Sequence, residues 1–315
     1  MQFLQKKLMH LIPVVIAVSV VTFLFVNLLP GNVAYNLLGD QATPELVAEV
    51  EKELGLDKPL VLRYVIWFGG VLKGDFGRSF VTREDVMSAI MDRMPISIEL
   101  MVITQVFALL LSMPLGILSA YRAGRPLDRM IAGTSFGLLS IPNFMMAIIL
   151  IFIFSVKLDW FPATGFTPLT EDLTENLQSF FLPALTLAMI EMCALMRVLR
   201  SDMIATLQEE FIMVARAKGL PNWRILLTHA LKPSLFSMIT LFAINMASLI
   251  SGSLVVETIF ALPGLGSLLV QSIYTRDYIM VQGVVLFGAL AFVIINFAVD
   301  MVYAVLDPRI RHDNA

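Results

Sequence analysis

The sequence predicts an all-α integral membrane protein. Three observations carry that prediction: 58% of the 315 residues are hydrophobic, only 15% are charged, and the apolar residues gather into runs of membrane-spanning length. A soluble domain usually carries about 25% charged residues, so this chain cannot cover itself in water. Its mean hydropathy is +0.82. The unit to count is therefore the span rather than the soluble domain.

Six stretches are apolar enough and long enough to cross about 30 Å of hydrocarbon at about 1.5 Å per residue. They are residues 8–29, 97–121, 131–156, 182–198, 236–256 and 281–306. The first opens like a signal peptide, with Lys6 and Lys7 ahead of an apolar run. That run is too long for an h-region, and Leu28-Leu29-Pro30-Gly31 offers no small-x-small cleavage site, so it reads as a retained helix.

Orientation follows from where lysine and arginine fall in the connections. Lys6 and Lys7 precede span one, and Arg122, Arg125 and Arg129 lie between spans two and three. Arg197, Arg200, Arg216, Lys218, Arg224 and Lys232 lie between four and five, and Arg309 and Arg311 follow six. The connection 158–181 carries Asp159, Glu171, Asp172 and Glu175 with no basic residue, and 257–280 has Arg276 alone. Both termini are therefore expected in the cytoplasm.

The connection 31–95 is expected to fold into a small helical cap on the outer face. Thr43-Pro44-Glu45 is a helix start, with a cap, a first-turn proline and an acid at the positive dipole end, and Gly55 stops it. A second helix is expected from Pro59 to about Lys73, with Tyr64, Trp67 and Phe68 at the membrane interface. Thr82-Arg83-Glu84-Asp85 resembles a capping box and should begin a third. The chain thus divides into a tail with span one (1–30), a cap (31–96) and a five-helix core (97–315) containing the cytoplasmic loop 201–235. No internal repeat is visible, so any two-fold symmetry would need a second subunit.

Several chemistries are excluded. A lone Cys193 rules out an intrachain disulfide and a CxxC cluster. A net charge of −3 leaves no basic footprint for nucleic acid, and His10, His229 and His312 lie far apart in sequence. There is no phosphate loop, HExxH or GxSxG motif, so neither a catalytic nor a cofactor site is expected. Polar residues within the spans are few: Gln105, Glu191, Asn245, Asn296 and Asp300. Glu191 fits either a wet cavity or an ionic partner, or a proton relay, and an ion-coupled carrier would place more such groups at mid-membrane. Asp300, near the cytoplasmic end of span six, reads as a side chain that snorkels or hydrogen-bonds to a neighbouring helix.

The most informative stretch is Glu209 to Ser234, which interrupts the apolar pattern on the cytoplasmic side. Phe211, Val214 and Ala215 recur at helical spacing, Gly219 should end that helix, and Pro221 with Trp223 should begin another that runs into span five. Pattern alone fits two readings: a knob with small residues Ala215 and Ala217 for a protein groove, or a helix lying on lipid headgroups.

Further residues break the tie. Ala215-Arg216-Ala217-Lys218-Gly219-Leu220, followed by His229-Ala230-Leu231, resembles the EAA loop of bacterial ABC importer permeases, and more narrowly the peptide/nickel permease subfamily. Leu28-Leu29-Pro30-Gly31 and Gly74-Asp75-Phe76-Gly77-Arg78-Ser79 agree with it. So do Glu257-Thr258-Ile259-Phe260 with Pro263-Gly264-Leu265-Gly266, then Arg276-Asp277-Tyr278 and the tail Leu306-Asp307-Pro308-Arg309-Ile310-Arg311. The resemblance covers nearly the whole chain in order, and is to the "B" type with a long first extracytoplasmic loop. Met213 and Val214 stand where the general pattern has Glu and Ala, and its final proline is offset to Pro233.

The resemblance implies a type I ABC importer permease fold in a bacterial inner membrane. It implies two paired permease subunits, two ABC ATPase subunits that bind the ATP and Mg, and an extracytoplasmic substrate-binding protein. The loop would dock in an ATPase through Ala215, Arg216, Ala217, Lys218, Gly219 and Leu220, with His229 and Leu231 behind it. Glu257, Pro263, Gly264, Leu265 and Gly266 would form an outer gate, and Gln105, Glu191, Asn245 and Asn296 would be the polar groups of the pathway. Peptides are the implied solute, with nickel chelates, glutathione or oligosaccharides as alternatives within the same architecture. An ion-coupled secondary transporter and a membrane-embedded enzyme are the alternatives of other classes.

Overall fold

The computed structural model describes residues 12–24, 43–53, 58–79 and 81–306. Leu28-Leu29-Pro30-Gly31, the Gly55 stop and the Asp307-Pro308-Arg309-Ile310-Arg311 tail lie outside the described residues. Among the described residues the chain is helical, with an isolated bridge between Arg78 and Asp85.

The chain opens with α1 (Ile12–Leu24), α2 (Pro44–Glu53) and α3 (Leu60–Val71). Thr43 caps α2, its Oγ1 accepting the Leu46 amide at 3.3 Å. The third cap helix is corrected: α4 runs unbroken over Val86–Tyr121, 36 residues, so the expected span 97–121 is its later part and Pro95 lies inside it. Its cap is Asp85 rather than Thr82. Asp85 Oδ1 accepts the Ser88 amide at 3.0 Å after Arg83 has turned the chain at φ 61°.

The expected span 131–156 is bent. It is a pair, α5 (Pro126–Leu139) and α6 (Asn143–Leu150), bent by 104°, with α6 continuing as a π-helical stretch over Ile151–Lys157. Pro142 has no amide with which to continue a helix and disfavours helical backbone at Ile141, so α5 closes at Ser140, whose hydroxyl donates to the Phe136 carbonyl at 3.0 Å.

Next comes α7 (Leu173–Thr206), whose N-cap Asp172 accepts the Thr174 and Glu175 amides at 2.7 and 2.9 Å. A short α8 (Glu210–Ala217) follows. Asn222–Arg224 and a π-helical stretch Ile225–Ala230 lead directly into α9 (Leu231–Gly252). The expected span 236–256 breaks at Ser253, after which α10 (Leu254–Ile259), α11 (Leu265–Tyr274) and α12 (Tyr278–Leu306) complete the order. Among the described residues four helical runs can cross a membrane by length and composition, or five with the bent pair as one span. Only the 13 residues of α1 are described for the expected first span.

Two compact units result, one made of Met1–Ile96 with Pro263–Ala315, the other of Ser97–Leu262. In the first, Phe76, Val86 and Ile90 pack with Leu265, Leu268, Met280 and Val284. A Cβ added at Gly283 would lie 2.3 Å from Val86 Cγ1, so only glycine fits there. The Ser79 hydroxyl donates to the Asp277 carboxylate, and Asp277 also takes the Met280 amide at 3.3 Å. Those contacts join the Gly74–Ser79 turn to the start of α12. In the second unit, α7 and α9 form the core with α4. A Cβ at Gly116 would meet Leu199 Cδ2 at 3.0 Å, which sets the close α4/α7 approach.

Candidate functional site

α8 is too short to be stable alone, and its stability comes from what lies beneath it. Ile212 and Ala215 enter a core built from Leu195, Leu199 and Met203 of α7, Ile225 and Ala230 of the π-helical stretch, and Met238 of α9. The buried face is therefore Ile212/Ala215, not Phe211/Val214/Ala215. Phe211, Met213 and Val214 are exposed, as are Trp223 and Leu227 further on. Ala215, expected on the free small-residue face, is turned inward, while Ala217 remains outward with Arg216 and Lys218.

Gly219 ends α8 as its sequence requires. Its φ is +78°, the Leu220 amide reaches back to the Ala215 carbonyl at 3.3 Å, and the Gly219 amide bonds Arg216 at 2.9 Å. That is the Schellman pattern, with Leu220 folding onto the same core as Ala215. A Cβ at Gly219 would meet nothing within 4 Å, so the glycine opens onto free space. His229 is half-buried, its Nδ1 3.4 Å from the Arg224 carbonyl across the π-helical turn, and Leu231 packs beside it against the core.

Two polar contacts stiffen this platform. Thr206 Oγ1 and Ser234 Oγ lie 3.1 Å apart and tie the end of α7 to the start of α9. Arg200 on α7 holds the buried Asp128 of α5 through both carboxylate oxygens at 2.7 Å. Asp128 further accepts the Ser119 hydroxyl of α4 and the Gly124 amide, so one carboxylate joins three helices and a turn. The sequence does not reveal this contact, because its partners are 72 residues apart. The local signal was a lone acid among Arg122, Arg125 and Arg129.

The expected gate residues divide between the two units. Glu257, fully buried, accepts the Ser97 hydroxyl at 2.9 Å and the Ser253 hydroxyl at 2.6 Å, and its carbonyl takes the Leu262 amide at 2.9 Å. Ala261 follows at φ 55°. In the other unit Pro263 precedes Gly264, whose carbonyl caps α11 by accepting the Leu268 amide at 3.1 Å and the Ser267 hydroxyl at 2.9 Å. Leu265 and Gly266 are buried in its first turn.

Of the polar residues within the spans, the structure brings Gln105 and Glu191 together across α4 and α7. Both amide atoms of Gln105, the neighbouring Thr104 hydroxyl and Glu191 Oε2 are buried without a geometrically satisfactory hydrogen bond. Asn245 is half-buried on α9. Asn296 satisfies itself locally, donating to the Phe292 carbonyl at 3.0 Å.

Comparison with known proteins fits this architecture. The family described as "Binding-protein-dependent transport system inner membrane component" matches residues 112–312, and its N-terminal companion matches 1–101. A peptide transport system permease protein of Brucella abortus (strain 2308) is 39% identical over 308 residues, covering 98% of each chain. The oligopeptide transport system permease protein AppB of Bacillus subtilis (strain 168) is 35% identical, covering 98% of this chain and 99% of its own. The glutathione transport system permease protein GsiC of Salmonella typhimurium is 36% identical, covering 99% of both. Among solved structures, an inward-facing conformation of the MetNI methionine ABC transporter superposes with a TM-score of 0.57 at 18% identity, over 70% of this chain and 97% of that one, a likeness of fold. The chain is a multi-pass inner membrane protein and belongs to the binding-protein-dependent transport system inner membrane component family.

Proposed function

We propose that this chain is one permease half of an ABC importer for peptides, paired with a homologous second permease, driven by two ATPase subunits and supplied by an extracytoplasmic binding protein. The observation that carries the reading is α8. It is fixed inward by Ile212 and Ala215 and presents Phe211, Met213, Val214 and an open Gly219 outward. A helix so anchored cannot move without α7 and α9, because a close-packed core transmits displacement rather than absorbing it. An ATPase holding the outward face would therefore drive the spans as a rigid lever. Arg216, Ala217, Lys218 and Leu220 flank the contact, and His229 and Leu231 brace it from behind.

The chain itself performs no covalent step in this reading; ATP and Mg are held by the partner ATPases. Both termini lie in the cytoplasm. Glu257, Pro263, Gly264, Leu265 and Gly266 serve the outer gate. Gln105, Glu191, Asn245 and Asn296 are the polar groups offered to the solute, the first two with atoms left for water or substrate. Peptide uptake follows the Brucella and Bacillus relatives. The GsiC relative favours glutathione as a second reading, and glutathione is itself a tripeptide. The test is uptake by the reconstituted complex, with labelled di- and oligopeptides set against labelled glutathione. ATP-dependent peptide uptake supports the first reading, glutathione uptake alone the second, and uptake by this chain without ATPases would overturn both.

A further inference from the structure

The sequence of α3, LVLRYVIWFGGV, contains one charged residue, Arg63, and no residue of the helix is buried. Its aromatic side turns toward α1. The Tyr64 and Trp67 rings lie 5.5 and 5.6 Å from Phe23, and the Tyr64 hydroxyl is 2.8 Å from Ser19 Oγ. Tyr64 and Trp67 of the expected interfacial aromatics thus pack on α1, and Phe68 stacks on Tyr64 at 5.6 Å. The opposite side is aliphatic and bare. Val61 and Val65 are 74% and 58% exposed, Leu62 and Ile66 are 46% and 54%, and Leu72 just beyond is 71%.

We propose that this aliphatic face of α3 is a lipid-binding surface, lying along the bilayer in the headgroup and upper acyl region. Large aliphatic side chains left in water forgo the transfer free energy that hydrocarbon would give them, and here five stand together with no polar residue among them. A helix of 12 residues reaches only about 18 Å, short of the roughly 30 Å of hydrocarbon, so it cannot cross alone and belongs to one leaflet beside α1. Exposed Lys58 and Lys73 stand just outside its two ends, placed to meet phosphate headgroups while the aliphatics sink below them. The charged residues near the helix are Arg63 and the two end lysines, and none of them interrupts the aliphatic face. The ligand is the phospholipid of the membrane that holds the chain.

The test uses the full transporter in lipid nanodiscs containing anionic phospholipid. A nitroxide is attached in turn at Val61→Cys, Val65→Cys and, as an aqueous reference, Glu84→Cys, all in a Cys193→Ala background. Collision with oxygen reports hydrocarbon, and collision with a water-soluble nickel chelate reports water. The oxygen-to-nickel ratio should be several-fold higher at 61 and 65 than at 84, and should not change when binding protein saturates the complex. Ratios at 61 and 65 equal to that at 84 would overturn the proposal. So would a water-like ratio that falls silent to both collision partners only when binding protein is added, since the face would then be a protein dock.

Discussion

Arg200 closes on Asp128 through two parallel hydrogen bonds, Nε to Oδ1 and Nη2 to Oδ2, each 2.7 Å long. Asp128 is buried and Arg200 about one-third exposed, at 31%. Arg200, partly exposed, can be hydrated once its partner is gone, so Asp128→Ala should cost about 1–3 kcal/mol, less than breaking a fully buried pair. Arg200→Lys keeps the charge but not the fork and should cost less than Asp128→Ala. Thermal unfolding of the purified complex measures both. An unchanged midpoint in Asp128→Ala would show that the three-helix junction is held by packing alone.

A second prediction concerns Gly283, whose missing Cβ leaves room for Val86. Gly283→Ala should overpack that contact by about 1–3 kcal/mol. Val86→Ala, added to it, should recover part of the loss, while Val86→Ala alone destabilises by opening a cavity. Additive losses in the double variant would refute the contact.

The Ser79–Asp277 contact joins two motifs far apart in sequence. Asp277→Ala leaves the Ser79 hydroxyl and the Met280 amide without their acceptor, a loss of about 1–3 kcal/mol. Asp277→Asn retains an acceptor and should be milder. Protease sensitivity of the Gly74–Ser79 turn reads the difference, and equal sensitivity of the two variants would count against the hydrogen bond.

Orientation is tested by thiol labelling in a Cys193→Ala background. Glu171→Cys should react with a membrane-impermeant reagent added outside intact cells, and Asn222→Cys only after permeabilisation. The reverse would move α8 to the wrong side for an ATPase.

The apolar spans were legible because bilayer thickness writes itself into run length. Breaks inside runs were less so. Pro142 was visible, but a 26-residue stretch from 131 to 156 passes for one span unless the proline is given priority over length. Asp85 and Thr82 both offer capping side chains, and Asp92-Arg93 followed by Pro95 read as a break between cap and span although the helix runs through them. The end of α8 was readable from Gly219. Its inward face was not, because Phe211, Ile212, Met213, Val214 and Ala215 are all apolar and any helical phase fits them. Only the partners on α7 and α9 decide it. The Asp128 and Glu257 contacts depend on helices meeting over 72 and 160 residues of sequence, which no local pattern records.

The coupling role of α8 is tested most directly at Gly219, by binding-protein-stimulated ATP hydrolysis and peptide uptake in one reconstituted complex. At φ +78° a β-branched residue is strained by about 1–3 kcal/mol, and its side chain would project into space the fold leaves open. Gly219→Asn tolerates that φ and so isolates the steric effect from the strain. Lys218→Ala removes only an exposed charge, worth about 1 kcal/mol or less. The account predicts that Gly219→Val inserts normally but loses uptake and stimulated hydrolysis, that Gly219→Asn is impaired, and that Lys218→Ala stays close to the parent. A Gly219→Val complex that transports normally beside a Lys218→Ala complex that fails would contradict it, because that is how a helix resting on anionic headgroups behaves.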